Sequence, residues 1–130
     1  MFTTPNPNWR SASRRLWQNK MAVTLYPAAD VLTAAEAVYS YIVNGSVSGK
    51  CVERWRPDGH GGHIEIMVFE KYLYRTGSRA ALTVAIDDFT GRTRVHCVGS
   101  GGGNGVFFSF DWGAAASLEQ APARALEKYL

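Results

Sequence analysis

The amino-acid sequence predicts a single α+β domain in which an antiparallel β-meander packs against an N-terminal and a C-terminal helix. Three observations lead to this prediction. A segment after residue 26 has apolar residues at helical spacing, several later segments alternate as strands do, and a last helical segment closes the chain. The connections between the strand-like segments are short, and short connections favour consecutive antiparallel pairing.

The first predicted elements are a short strand over residues 22–26 and a helix from about 27 to 43. Pro27 suits the first turn of a helix, and Asp30 favours its positively charged start. The apolar residues of the helix recur at steps of four, three and four, and they are Val31, Ala35, Val38 and Ile42. This spacing places them in one stripe, which can face a core. Asn44-Gly45 is typical of a helix end.

Turn residues divide the next part of the chain into five predicted strands, at 47–56, 64–75, 80–87, 92–99 and 106–112. In the third strand Leu82, Val84 and Ile86 alternate with Thr83 and Asp87. In the fourth, three residues on one side (Thr93, Val95, Cys97) alternate with three on the other (Arg92, Arg94, His96). The sheet therefore has one apolar face and one polar face.

The last predicted element is a helix near 118–130, entered through Pro122. Its apolar side carries Leu118, Ala125, Leu126 and Tyr129. If both helices pack on the apolar face of the sheet, the apolar sides of the helices and of the sheet are all buried.

The charge distribution divides the chain into a basic tail, residues 1–20, and one domain, residues 21–130. The tail contains Arg10, Arg14, Arg15 and Lys20, no acidic residue and two prolines, so we expect it to be flexible. The rest of the chain is nearly neutral, which disfavours nucleic acid as a partner. Met21 directly precedes the apolar segment Ala22–Leu25, so Met1 and Met21 are both candidate starts.

The composition favours a soluble, cytoplasmic protein. Hydrophobic residues make up 46% of the chain, which excludes general disorder, yet no apolar run approaches the length of a membrane span. Arg14 and Arg15 are not followed by the apolar stretch of a signal peptide. The two cysteines, Cys51 and Cys97, suit a reducing compartment, and they could form a disulfide only if their strands were neighbours.

Four segments carry a resemblance to a known family. They are Phe69-Glu70-Lys71-Tyr72, Arg75-Thr76-Gly77-Ser78-Arg79, the glycine-rich run from Gly99 to Gly105, and Phe110-Asp111-Trp112-Gly113. Together they resemble a family of small bacterial domains of unknown function, over residues 21–130. The resemblance implies a stand-alone cytoplasmic domain, and it supplies no catalytic residue, cofactor or substrate.

The glycine-rich run is the first candidate site and consists of Gly99, Ser100, Gly101, Gly102, Gly103, Asn104 and Gly105. A strand-like segment follows it rather than a helix, so it is neither a Walker loop nor a dinucleotide fingerprint. Ser100 also lacks the sequence of a nucleophile elbow. Two interpretations stay open: a nest of backbone N–H groups for an anion, and a bulged hairpin turn, which we favour.

The second candidate site is the polar face around Arg92, Arg94 and His96. Arginines there could bind carboxylates or phosphates, or could simply be solvated. His60 and His63 flank two glycines, but strand alternation separates His96 from Cys97, so we expect no metal site. We also expect no cofactor.

Two classes of function follow from these candidate sites. We favour a non-catalytic ligand-binding or self-association domain, whose partners would be a small anionic ligand or further copies of the chain, and no membrane. A small-molecule enzyme that uses the loop from Gly99 to Gly105 and His96 is the alternative.

Overall fold

The structure is a computed structural model and describes residues 22–45, 49–57, 59, 61–73, 77–101 and 121–130. Its strands are β1 (Ala22–Leu25), β2 (Gly49–Trp55), β3 (Ile64–Leu73), β4 (Ser78–Asp87) and β5 (Arg94–Gly101). Its helices are α1 (Val31–Gly45) and α2 (Ala121–Ala125), followed by a 3₁₀ turn (Glu127–Tyr129). The predicted strand 106–112 and Leu118 lie outside the described residues.

The five strands form one antiparallel sheet in the order β1-β5-β4-β3-β2. The predicted meander is confirmed from β2 to β5, and β1 pairs beside β5 at one edge. The chain therefore crosses from one edge of the sheet to the other between β1 and β2, and α1 lies in this crossing. Cys51 in β2 and Cys97 in β5 are separated by two strands and are both free, which excludes a disulfide between them.

Helix α1 begins four residues later than predicted, at Val31, and ends at Gly45. The reason is the N-cap. The Asp30 carboxylate accepts a hydrogen bond from the backbone N–H of Thr33 at 2.7 Å, and the Asp30 carbonyl accepts one from Ala34 at 2.9 Å. Pro27 is buried but precedes the helix.

The C-terminal helix ends earlier than predicted. Within the described residues α2 covers Ala121–Ala125, and Leu126, at φ −106° and ψ 11°, leaves helical geometry before the 3₁₀ turn. The carbonyl of Tyr129 accepts a hydrogen bond from the backbone N–H of Ala28 at 2.7 Å, which holds the C-terminus beside the segment before α1. Within the described ranges, no helix is long and apolar enough to cross a membrane.

One face of the sheet, called the inner face here, carries the hydrophobic core. The predicted alternation is confirmed in β4, where Leu82, Val84 and Ile86 are fully buried and Thr83 is exposed. Val95 and Cys97 continue the buried row on β5. The two helices and Leu126, which follows α2, contribute to the same cluster; the residues are Val31, Ala34, Ala35, Val38, Ile42, Ala121 and Leu126. The opposite side of the sheet is called the outer face.

Candidate ligand-binding site

The structure describes only the first part of the predicted glycine-rich site. Gly99, Ser100 and Gly101 end β5, whereas Gly102, Gly103, Asn104 and Gly105 lie outside the described residues. Gly101 has a φ of +83°, and a Cβ there would lie 2.5 Å from the carbonyl oxygen of Arg79. Glycine is thus required at this position by the backbone and by the neighbouring strand. A binding role for the segment stays a prediction.

The predicted arginines make contacts within the protein. Arg94 donates two hydrogen bonds to Asp87, at 3.1 and 3.0 Å, and this side-chain bonding raises the pKa of Arg94. Arg92 lies before β5, and its guanidinium stands 4.4 Å from the centre of the Tyr26 ring. The length of β5, about 23 Å at ~3.3 Å per residue, separates Arg94 from Gly101. The described end of the glycine-rich run, Gly101, is therefore distant from Arg94.

His96 lies on the outer face, with its Nδ1 2.6 Å from the Oγ1 of Thr24 on β1. Gly99 is buried on the inner face, opposite Leu82. The imidazole of His96 and the first glycine of the loop thus lie on different sides of the sheet. A role of His96 in binding stays a prediction.

A buried carboxylate that the sequence reasoning missed lies at the other end of the sheet. Glu65, near the start of β3, is fully buried on the inner face. It accepts hydrogen bonds from the Nε of Arg54 at 3.2 Å and from the Nε of Arg56 at 2.9 Å. Arg54 also pairs with Glu36 of α1 and stands 4.8 Å from the centre of the Tyr39 ring.

A β-bulge places these arginines on the inner side. In the pairing of β2 with β3, Cys51 lies opposite Phe69 but Glu53 lies opposite Val68, so Val52 is an extra residue. Without it, strand alternation would place Glu53 beside Cys51 on the inner face. The extra residue instead turns Arg54 inward, towards Glu65 and α1.

Burying the Glu65 carboxylate costs solvation free energy that the two guanidinium groups offset. Burial alone would lower the pKa of Arg54, but hydrogen bonds and charge from Glu36 and Glu65 raise it above its ordinary value. A buried ion pair is weak support for stability, since an apolar replacement is often as stable. Buried charges of this kind cluster at functional sites, so the surroundings of Arg56 are a candidate site.

His63 and Asp88 form a tightly held pair in front of this cluster. One carboxylate oxygen of Asp88 accepts the backbone N–H of His63 at 2.7 Å, and the other lies 2.8 Å from Nδ1 of the ring. The backbone hydrogen bond, with help from the ring, lowers the pKa of Asp88. An ionised carboxylate only accepts, so Nδ1 carries the proton. Among the described residues, nothing bonds to the remaining ring nitrogen, Nε2.

The contact between His63 and Asp88 depends on Gly62. Gly62 has a φ of +152°, and a Cβ there would lie 2.4 Å from Cδ1 of Phe89 and 2.9 Å from Oδ1 of Asp88. The turn beginning at Asp88 closes with a hydrogen bond of 3.0 Å from the Gly91 N–H to the Asp88 carbonyl. The sequence features that mark this pair are thus the two glycines before His63 and the two aspartates, Asp87 and Asp88, before a turn. His60 lies outside the described residues.

A cavity of about 190 Å³ opens between the start of α1 and the His63–Asp88 pair. It is lined by Asp30, Val31, Leu32, Arg56, His63 and Asp88. The hydrogen bond from Thr33 lowers the pKa of Asp30, so both lining aspartates are ionised at neutral pH. The positive charge of Arg56 is balanced by Glu65 behind it. The cavity therefore combines negative charge, the unbonded Nε2 and an apolar wall.

A larger depression of about 430 Å³ lies along the exposed side of α1, beside the 3₁₀ turn. Its charged groups are already engaged, since Glu36 holds Arg54 and the Lys128 ammonium stands 5.1 Å from the centre of the Tyr129 ring. It offers no group comparable to Nε2 of His63, so the smaller cavity is the candidate site.

In the part of the chain that the structure describes, no three His, Cys, Asp or Glu residues are grouped so that they could hold a metal ion.

Comparisons with known proteins identify the family without assigning a role. No curated protein and no solved structure matches the chain. A family model matches residues 21–130, the range over which the sequence showed its resemblance. The chain belongs to this family, DUF6054, a family of unknown function.

Proposed function

We propose that the protein is a non-catalytic, cytoplasmic ligand-binding domain, and that its ligand is a small amine with a short apolar group. The ligand binds in the cavity between the start of α1 and His63. Both helices cover the inner face in this proposal, which their shared core cluster with the sheet supports. The observation that carries the proposal is the His63–Asp88 pair at the wall of a cavity, in which one ring nitrogen has no partner among the described residues.

The charge of the cavity decides the class of ligand. Asp30 and Asp88 are ionised, while Arg56 is bound to Glu65, so a cation lowers the local electrostatic energy and an anion raises it. An ammonium group donates hydrogen bonds only, which suits the lone pair of Nε2 and the carboxylate oxygens. The side chains of Val31 and Leu32 offer the apolar contact.

A second candidate function, a small-molecule enzyme, is favoured by the same pair. An aspartate that orients a histidine through Nδ1 is the arrangement that makes Nε2 a general base. His63, rather than His96, would then be the base. Binding is the simpler proposal because no described nucleophile contacts His63.

The test is an NMR titration with three probes that share one carbon chain: propylammonium, propionate and 1-propanol. The volume of about 190 Å³ accommodates such a molecule, and a ligand of so few atoms binds at millimolar concentration. Propylammonium should give saturable shifts of the amide signals of Val31, His63 and Asp88 at constant ionic strength. Propionate should give none, and 1-propanol should bind several-fold more weakly. Equal shifts with propionate would contradict the proposal.

Matched variants locate the binding. Asp88→Asn removes one carboxylate charge from the cavity and should weaken propylammonium binding at least about tenfold. Glu70→Gln makes the same change at the far end of β3, where Glu70 lies 3.4 Å from the exposed Arg79. It should leave binding unchanged. Equal weakening in both variants would indicate non-specific charge attraction and would contradict the site.

A further inference from the structure

The outer face of the sheet is apolar at its centre. By strand register it presents Ile64, Ile66 and Val68 from β3, Ala85 from β4 and Val98 from β5, all half-buried. Trp55 on β2 lies next to Ile66 and is 55% exposed. None of the described helices packs there, since their buried residues join the inner-face cluster. Contiguous apolar surface of this kind marks an interaction site.

The charges around this apolar centre are balanced. By register the described residues of the face include three basic side chains, Lys50, Arg79 and Arg94, and three acidic ones, Glu53, Glu70 and Asp87. Two of the pairs are made within the face, Arg94 with Asp87 and Arg79 with Glu70. A neutral surface offers no electrostatic attraction to a nucleic acid or an anionic membrane. Two identical neutral faces, in contrast, do not repel each other electrostatically.

The relief of the face is self-complementary. Between Arg79 and Asp87 at its ends, the central strand β4 presents small residues on this face, Ala81, Thr83 and Ala85, which form a shallow groove beside the ridge of Ile66 and Val68 on β3. A twofold axis between β3 and β4 would place the β3 ridge of each copy in the β4 groove of the other. Sheets that pack face to face interdigitate in this way, about 10 Å apart.

The area of the face suits a modest dimer. Five strands about 4.8 Å apart, with about eight residues each on average, give a footprint of roughly 600 Å² per copy. Two copies would bury about 1,200 Å², slightly above the ~1,000 Å² expected of a specific interface and well below an obligate one.

We propose that two copies of this chain associate through their outer faces, as a twofold dimer in which β3 of each copy packs on β4 of the other. This dimer leaves the cavity beside His63 open, because the cavity is lined by α1 and by the ends of the strands. An interface of this size lies at the low end of specific interfaces, so we expect a weak dimer.

Sedimentation velocity of the full chain, over a concentration range from about 1 to about 200 μM, tests the dimer. The wild type should change from monomer to dimer across this range. Ala85→Arg places a long charged side chain in the groove and should raise the dissociation constant at least about 100-fold. Ser40→Arg introduces the same side chain on the exposed side of α1 and should dimerise as the wild type does.

A second substitution in the groove, Thr83→Glu, keeps the test decisive if Ala85→Arg fails to fold, because Thr83 is already exposed. It should also give a monomer with an unchanged thermal melt. A wild type that stays monomeric at every concentration would overturn the proposal, since the face would then be covered by other parts of the chain or reserved for another partner. Dimers that persist in both groove variants would overturn it as well.

Discussion

At the scale of single residues, Glu65 shows how a buried carboxylate is stabilised by partly exposed arginines. Its carboxylate is completely enclosed, but both of its guanidinium partners reach the surface, with side chains that are 27% and 48% exposed for Arg54 and Arg56. The positive charges therefore retain part of their hydration while they neutralise the buried group. This arrangement fixes Arg56 at the wall of the cavity.

Replacing Glu65 with glutamine tests this contribution. The amide keeps the size of the side chain but loses both ion pairs, so unfolding in denaturant should show a loss of about 1–3 kcal/mol. Glu70→Gln is the matched control, because its exposed ion pair with Arg79 should contribute less than about 0.5 kcal/mol. Similar losses in the two variants would mean that the buried pairs add nothing beyond a surface pair.

Gly62 gives a second prediction at this scale. Gly62→Ala introduces a Cβ that would overlap Phe89 and Asp88 at a φ of +152°, so it should lower the stability by about 2 kcal/mol or more and disturb the His63–Asp88 contact. Gly59→Ala is the control, since nothing lies within 4 Å of the position of its Cβ. If the two variants lost the same amount of melting temperature, the loss would come from any glycine-to-alanine change and not from the close approach of Phe89 and Asp88 to Gly62.

The sequence predicted the faces of β4 and β5 correctly because large apolar residues alternate with polar ones over most of both strands, although Ala85 and Val98 interrupt the polar rows. In β3 the alternation is ambiguous. Ile64, Ile66 and Val68 are as apolar as Met67 and Phe69, and Glu65 alone would suggest that its own face is solvated. The structure buries the face with Glu65, because the bulge at Val52 supplies Arg54 to it. Such compensation depends on partners across strands, which periodicity does not reveal.

At the scale of elements, a single capping contact decides where α1 begins. Pro27 and Asp30 both suit a helix start, and the sequence does not rank them. The hydrogen bond from Thr33 to the Asp30 carboxylate resolves the choice in favour of Val31 as the first helical residue. The same contact brings the Asp30 carboxylate to the cavity, so the cap also contributes to the charge of the site.

Substitution of Asp30 separates capping from charge. Asp30→Ala removes the cap and should lower the melting temperature by about 3–6 °C, whereas Asp30→Asn keeps a capping oxygen and should retain most of the stability. The pKa of Asp30 is lowered from its ordinary value of 3.8, so the charged cap stabilises the fold above that pH and is lost as the pH falls below it. The wild-type advantage over Asp30→Asn should therefore disappear in strong acid. An advantage independent of pH would contradict this role of the charge.

At the scale of the whole molecule, strand order decides which candidate residues meet. Short turns predicted the meander, but nothing local predicted that β1 pairs beside β5, since that contact joins segments far apart in sequence. The order of the sheet places His63, Glu65 and Asp88 at one end, with the glycines of β5 at the other. For this reason the residues of the candidate cavity could not be assembled from the sequence.

We predict that residues 1–20, which lie before the segment matched by the family model, are dispensable for folding. Their two prolines and unbalanced basic charge motivate it. Thermal melts of the full chain and of a version that starts at Met21 should agree within a few degrees. A large loss on truncation would show instead that Trp9 or Trp17 contributes to the core.

We propose that this protein binds its ligand in the cavity beside His63. A crystal structure of the protein purified from its own host would show whether it does. We predict electron density for a small molecule between Leu32 and His63, with an amine nitrogen within hydrogen-bond distance of Nε2 of His63. An empty cavity, or a co-purified molecule held at Gly99–Gly105 or on Arg92 and Arg94, would contradict it.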